Sequence, residues 1–422
     1  MARTLTPKDA HALMNSLVAQ ATGEASLTVT NSSDFVSAGE LVLATGTENV
    51  LNALGIVMGR TLVAVRPYRA KLNIINALNT GEFTSRLRKI SFYQKPAQAA
   101  GDWNTDLYTN FAEGYDNGSN GGASTGTMWE QSLPIPLEMN FGGQSVWDEC
   151  ITVLENQIKI ALRDEDEFLR FVSGFMTQKA NDIEKTKEAF NRMTLLNKMA
   201  SVYDMSSVMP GSVVDLIAGF NAEKGTTYTR AVVLQSHLQE FLQYFTATFK
   251  IYSDLMTHDS IKFHWSPTKT VGGTSYVLPR HTPKDRQRAI LYAPFFIRSK
   301  AEVFSEIFNP EYLEDGAQHE LVDYWQSIDS PTSISVTPAV TDTAAGATYG
   351  TQIVGSNVAL DYVLGCLYDV DSVMTDYQFE GANATPIEAR HRYHNLYWHF
   401  SKNSLSDPTE NFVLFYLGAG GP

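Results

Sequence analysis

The sequence predicts an α+β protein. Helical spacing of apolar residues runs with one break from Ser145 to about residue 201. Residues 211–370 mix short helices and strands, and the last sixty residues are rich in β-branched and aromatic side chains. A chain of 422 residues is long enough for two or three domains and a large core without disulfides or metals.

The first element is a helix. Thr6 is placed as its N-cap, Pro7 opens it, Asp9 completes a capping-box-like pattern, and Ala10, Leu13, Met14, Leu17 and Val18 share one face before Gly23. Residues 24–46 read as an extended arm, 48–58 as a short helix and Thr61–Val65 as a strand stopped at Pro67. Between 81 and 144 the basic segment Arg86–Tyr93 leads into a loop crowded with Gly, Asn, Ser and Thr, and Met128–Leu137 returns extended. This predicts a projecting hairpin with no apolar core between its strands. A helix is then expected from Ser145, with Trp147, Ile151, Leu154, Ile158, Ala161 and Leu162 on one face. Asp164-Glu165-Asp166-Glu167 marks a break and a new helix N-terminus, where negative charge is favoured.

Further helices are expected near 212–220, 229–256 and 299–308. Strands are expected at 261–265, 275–278, 289–293, 352–354, 359–367, 371–379, 388–402 and 411–417, and 329–351 reads as a surface insertion.

Charge excludes a protein whose whole surface attracts nucleic acid: 32 basic against 46 acidic residues leave a net charge of −14. Only 18% of residues are charged, which suits a surface covered largely by other subunits. Cys150 and Cys366 make no disulfide framework and fit a reducing compartment. No apolar run is long enough to span a membrane, and Met1–Leu5 lack the apolar core of a signal peptide.

Chemistry-bearing motifs are scarce. There is no P-loop, no Gly-x-Ser-x-Gly elbow and no His-Glu-x-x-His pattern. His391 and His394 would point to opposite faces of a strand, and His399 lies too far along it to share an ion with His391. Arg390–Phe400 interleaves bases and aromatics, as a nucleic-acid stacking platform does, but its apolar residues favour a packed strand. Asp369 with Asp371 reads as turn chemistry. No cofactor or metal site is assigned. Arg86, Arg88, Lys89 and Lys95 on the hairpin suggest an edge that meets an acidic neighbour. With Trp103, Tyr108, Tyr115 and Trp129 they are the inter-subunit contact candidates.

Taken in order, the basic strand Arg86–Tyr93, the Gly-rich hairpin, the helix opening at Ser145-Val146-Trp147, the helix Leu234–Leu255 and the closing strands Tyr393–Trp398 and Phe412–Phe415 resemble the major capsid proteins of tailed bacteriophages, the Hong Kong 97-type fold. The nearest likeness is to the shell proteins of small, short-tailed, protein-primed podophages. The resemblance implies an N-terminal arm (1–46), a peripheral-domain segment (47–80), an extended hairpin or E-loop (81–144), and a spine helix with peripheral domain (145–210). An axial domain (211–370, with an insertion near 331–357) and a peripheral β closure (371–422) follow. It implies pentameric and hexameric capsomers, scaffolding and portal partners, weak contact with packaged double-stranded DNA, no membrane, no enzymatic activity, and a virion location after assembly in a bacterial host's cytoplasm. Two other readings stay open: another viral structural component such as a tail or scaffold protein, and an enzyme whose site is dispersed along the chain.

Overall fold

The computed structural model describes residues 7–22, 28–30, 32–45, 71–78, 86–94, 134–142, 145–154, 165–271, 274–297, 318–341, 352–354, 356–386, 388 and 390–421. The expected helix 48–58, strand 61–65 and helix 299–308 lie outside these residues, as do Thr6 and most of the hairpin loop.

The N-terminal segment folds as two helices, α1 (Pro7–Thr22) and α2 (Ser32–Ala44), where an extended arm was expected after the first. Phe35, Ala38 and Val42 repeat at helical spacing and are buried, as are Met14, Leu17 and Val18 of α1. Asp34 in the first turn of α2 accepts bonds from the Thr30 amide and hydroxyl, so the polar run at 30–34 starts a helix. The Asn15 carboxamide grips the Val29 backbone through both its oxygen (2.7 Å) and its nitrogen (3.4 Å), which folds α2 back on α1.

The next strands are β1 (Asn76–Leu78), β2 (Arg86–Phe92), β3 (Pro136–Gly142) and β4 (Ser145–Leu154). Here the sequence reading is corrected: the ten residues from Ser145 are a strand. Val146, Trp147, Ile151, Thr152 and Val153 favour a pleated surface, and a long antiparallel partner completes their hydrogen bonds. The helix begins at Glu165, inside the acidic cluster, as α3 (Glu165–Asp204), forty residues long. It stands where the long helix was expected, but it opens twenty residues later.

Beyond it the chain forms β5 (Val213–Asp215), α4 (Leu216–Lys224), α5 (Arg230–Ser236) and α6 (Leu238–Leu255). Asp215 caps α4 by accepting the Ile217 and Ala218 amides at 3.0 and 3.2 Å, and Gly225 ends it in the left-handed conformation (φ 65°). The single helix expected over 229–256 is interrupted at His237, whose ring stacks on Tyr228. The expected strand 261–265 is a bend. Phe412 donates to the Phe263 carbonyl and Trp265 to the Pro408 carbonyl, but Pro408 has no N–H to return and the ladder stops there.

The remaining strands are β6 (Lys269–Val271), β7 (Thr274–Tyr276), β8 (Gln287–Tyr292), β9 (Gln318–Val322), β10 (Ile334–Val336), β11 (Ala339–Thr341) and β12 (Gln352–Val354). They are followed by β13 (Val358–Leu360), β14 (Val363–Asp369), β15 (Val373–Ala384), β16 (Tyr393–Ser406) and β17 (Phe412–Tyr416). The 329–351 stretch therefore contains β10 and β11. The run 359–367 is split at Tyr362, whose backbone is left-handed (φ 56°).

Two sheets organise the body. The larger has the order β5-β17-β14-β8-β9, and every residue of β14 is buried. Ile290, Cys366, Tyr368, Phe412 and Leu414 face the C-terminal half of α3, while Leu291, Leu367, Val413 and Phe415 face α4 and α6. Covering on both faces explains why 412–417 reads as a continuous apolar run. The smaller sheet has the order β1-β15-β16-β4, and α3 packs on it as well. The two strands expected to close the chain thus enter different sheets.

Gly418 lies where the end of β17 meets the α4 cap, and it donates to Asp215 at 3.0 Å. A Cβ there would overlap the Asp215 carboxylate. Gly418→Ala should therefore lower stability by about 1–3 kcal/mol, read as an earlier urea midpoint with an unchanged slope.

Candidate assembly site at the hairpin base

Antiparallel pairing of β2 with β3 gives the hairpin two faces. Arg88, Ile90 and Phe92 point outward; Ile90 and Phe92 remain 50% and 56% exposed. Lys89, Ser91 and Tyr93 point inward. Tyr93 joins Leu137, Met139 and Phe141 in a core with Leu278, Met374 and Leu405. The hairpin base is thus packed on the body, contrary to the expectation of a ribbon with no apolar core. The short β2–β3 ribbon cannot bury that face within itself, and β15 and β16 supply the other half.

Beneath this core lies a buried cluster of charges. Asp407, fully buried just after β16, pairs with the Lys89 ammonium. Lys89 also pairs with Glu410 at 2.5 Å, and Arg280 approaches Glu410 at 3.4 Å while donating to the Ser91 hydroxyl at 2.6 Å. Lys198 of α3 donates to the Asp407 carbonyl at 2.5 Å and lies over the Phe412 ring. Asp407 itself accepts from the Thr409 amide and hydroxyl at 2.8 and 2.7 Å.

Burial works against every charge here, and the partners decide the outcome. For Asp407, Lys89 and the Thr409 bond outweigh desolvation and hold the carboxyl below its ordinary value. For Lys89, the two carboxylates outweigh burial and raise the ammonium. Burial dominates at Glu410, which is raised, and at Lys198, whose pKa falls to about 8.

The sequence-derived contact candidates separate here. Arg86, Arg88 and Lys89 all lie on β2. Arg88 is outward and pairs with Glu138 at 2.6 Å across the ribbon; Lys89 is turned inward to the ion cluster. Lys95, Trp103, Tyr108, Tyr115 and Trp129 lie outside the described residues. Sequence reading missed Asp407, Glu410, Arg280 and Lys198. The one local signal was the run Asp407-Pro408-Thr409-Glu410, a polar turn set between two apolar strands.

Two further pairings tie α3 to its surroundings. Lys179 is fully buried, 2.5 Å from Glu149 of β4 and above the Trp398 ring. Arg192 pairs with Glu188 at 2.8 Å, donates to the Tyr324 and Trp325 carbonyls and covers the Tyr324 ring. An open groove of about 680 Å³ runs along this part of α3. Its Arg192 and Glu188 are held in these structural bonds.

His391 precedes β16 and contacts Glu388, whereas His394 is buried with Nδ1 3.0 Å from the Thr385 carbonyl. Among the described residues, no group of three His, Cys, Asp or Glu could hold a metal ion, and no helix is long and apolar enough to cross a membrane. Asp369 and Asp371 hold the β14–β15 turn with Arg286. Both cysteines are free, Cys150 exposed and Cys366 buried.

No protein-family model matches the sequence, and no curated protein matches it. Among solved structures, the chain is similar to phage capsid chains at low identity. A chain of the capsid of Staphylococcus phage Andhra is 10% identical, with 81% of this chain and 83% of that one covered and a TM-score of 0.47. A chain of the cyanophage P-SCSP1u capsid is 11% identical, with 84% and 90% covered and a TM-score of 0.45. One from the cyanophage Pam1 capsid is 12% identical, with 84% and 91% covered and a TM-score of 0.42.

Lys89→Met should destabilise the protein by about 3 kcal/mol, because it strands Asp407 in the interior, whereas Arg88→Met, removing an exposed pair, should cost at most about 1 kcal/mol. Denaturant titration of the two variants checks the contrast. Lys198 makes a separate prediction. Between pH 8 and its ordinary 10.5, the unfolded chain holds a proton on this amine that the folded chain has released. Stability relative to Lys198→Met should therefore rise across that window, by on the order of 3 kcal/mol. Parallel melts of both proteins from pH 7 to 10 read the effect.

Proposed function

We propose that this chain is a major capsid (head) protein of a tailed bacteriophage with the Hong Kong 97-type fold. In this reading it assembles into pentameric and hexameric capsomers around double-stranded DNA. The observation that carries the proposal is the hairpin: its base is locked to the body by apolar packing and buried ions, while its outward face leaves Ile90 and Phe92 in solvent. A monomer gains nothing from that arrangement, and a neighbouring subunit that covers the face does. Large exposed apolar side chains recur at Val146, Trp147, Ile297 and Ile328, which suits a body that meets several neighbours.

The element order supports the same reading: a hairpin, a forty-residue spine helix, a mixed middle region around a buried sheet, and terminal strands that return to both sheets. The short-tailed podophage variant is the finer form of the proposal. The axial region would face capsomer centres, and the region around α3, β15 and β16 would line capsomer edges. A net charge of −14 suits a container that grips packaged DNA weakly. Scaffolding and portal proteins are the partners such assembly calls for, in the host cytoplasm before release of the virion.

Negative-stain electron microscopy with sedimentation velocity tests the proposal. Shells, tubes or capsomer-sized rings are expected, alone or with a scaffold and portal; a species that stays monomeric with all of them overturns it. Deleting residues 113–127 should leave a folded protein with an unchanged melting temperature that no longer builds normal shells. Normal shells from that variant would remove the hairpin from the assembly.

A further inference from the structure

Residues 326–333 form a loop between β9 and β10 that is fixed by its own hydrogen bonds. The Trp325 amide donates to the Pro331 carbonyl at 2.9 Å, and its indole N–H donates to the Val363 carbonyl at 2.8 Å. The Thr332 carbonyl accepts from the Val363 amide at 2.9 Å. The Gln326 carboxamide holds the Ser335 backbone through its oxygen (2.6 Å) and its nitrogen (3.0 Å). Ile328 stands at the tip, 74% exposed, the most exposed large apolar side chain among the described residues. A lone exposed isoleucine on a flexible loop means little. On a loop whose backbone is already ordered it is an anchor, because binding costs little further entropy.

The loop springs from the wall of the groove along α3. Tyr324, Gln326 and Val336 line that groove together with Ala189, Met193 and Leu196 of α3. Ile328 follows Gln326 by two residues, so its Cα lies within about 7 Å of that of the groove wall. The groove has a volume of about 680 Å³, ample for an isoleucine side chain, and Met193 on it is 50% exposed. The charges are complementary as well. Asp329, next to Ile328, is exposed. In the groove Glu188 is 8% exposed and paired with Arg192 at 2.8 Å. The Lys185 side chain is 66% exposed, and its contact with Asp182 is long, at 3.9 Å. A carboxylate arriving with an apolar side chain therefore meets a lysine.

We infer that the 326–333 loop joins two copies of this chain, Ile328 of each entering the α3 groove of the other beside the partner's Met193, with Asp329 facing the partner's Lys185. Knob and groove stand side by side on one surface, so a two-fold axis between them lets both insertions form at once and closes the contact at a dimer. The contact needs only two copies, so it stands apart from the shell reading.

Sedimentation velocity of the purified variants tests the anchor. Ile328→Asp should raise the dimer dissociation constant by about tenfold and leave the melting temperature unchanged, since the side chain it replaces is exposed. Lys185→Glu and Asp329→Lys should each weaken the dimer, and the two together should restore it. Association indifferent to Ile328→Asp, or a combined charge variant no better than the single ones, overturns the contact.

Cross-linking tests the symmetry. In the Cys150→Ser background, Ile328→Cys together with Met193→Cys is treated with diamide, which takes up two electrons and two protons as two thiols become one disulfide. A single covalent dimer band on a non-reducing gel is expected. A ladder of longer polymers overturns the two-fold axis, because a head-to-tail contact does not close. No cross-link overturns the contact, and shells formed by that variant would leave the shell reading standing. Cross-linked dimers from a chain that never builds shells support the contact and overturn the shell reading.

Discussion

A carboxylate with no access to water constrains the whole structure. Asp407 is buried where the hairpin, the spine helix and the chain between the last two strands converge. An ionised carboxylate in that position is tolerated only if cations and donors reach it. Lys89 and Thr409 reach the carboxylate, and Lys198 donates to the carbonyl of the same residue, so parts of the chain separated by hundreds of residues must adopt one mutual arrangement. Well-packed apolar residues can match the stability of such a cluster, so its value here is that it ties the hairpin, α3 and the β16–β17 connection to one point. The ions hold the hairpin in one orientation on the body.

The second organising feature is the division of labour between two sheets served by one helix. The larger sheet is apolar on both faces and contains the terminal strand, so it forms a body that deforms little. The smaller sheet packs against α3, and its β15 and β16 carry the base of the hairpin.

Much of the fold was legible from local patterns. The strand expected at 411–417 is β17, the run expected at 359–367 falls on β13 and β14, and the acidic cluster at 164–167 marked the start of α3. The errors have a common cause. Trp147, Ile151 and Leu154 are spaced as on a helix, yet the same ten residues have strand propensity, and only the presence of β16 alongside decides between them. The polar residues 30–34 look like a loop until the helix they cap packs against α1. At the candidate site, Arg88 and Lys89 are chemically alike and adjacent, but strand alternation sends one to solvent and the other to a buried carboxylate.

The sequence by itself determined the α+β class, the existence of a basic hairpin, the long helix and the closing strands, because each depends on residues near one another in the chain. Tertiary structure alone decided which strands share a sheet, that the hairpin base has a core, and that Asp407, Glu410, Arg280, Lys89 and Lys198 form one cluster. The physical reason is range. Periodicity and capping act over a few residues, whereas burial and the need to neutralise a buried charge act between any groups that the folded chain brings together.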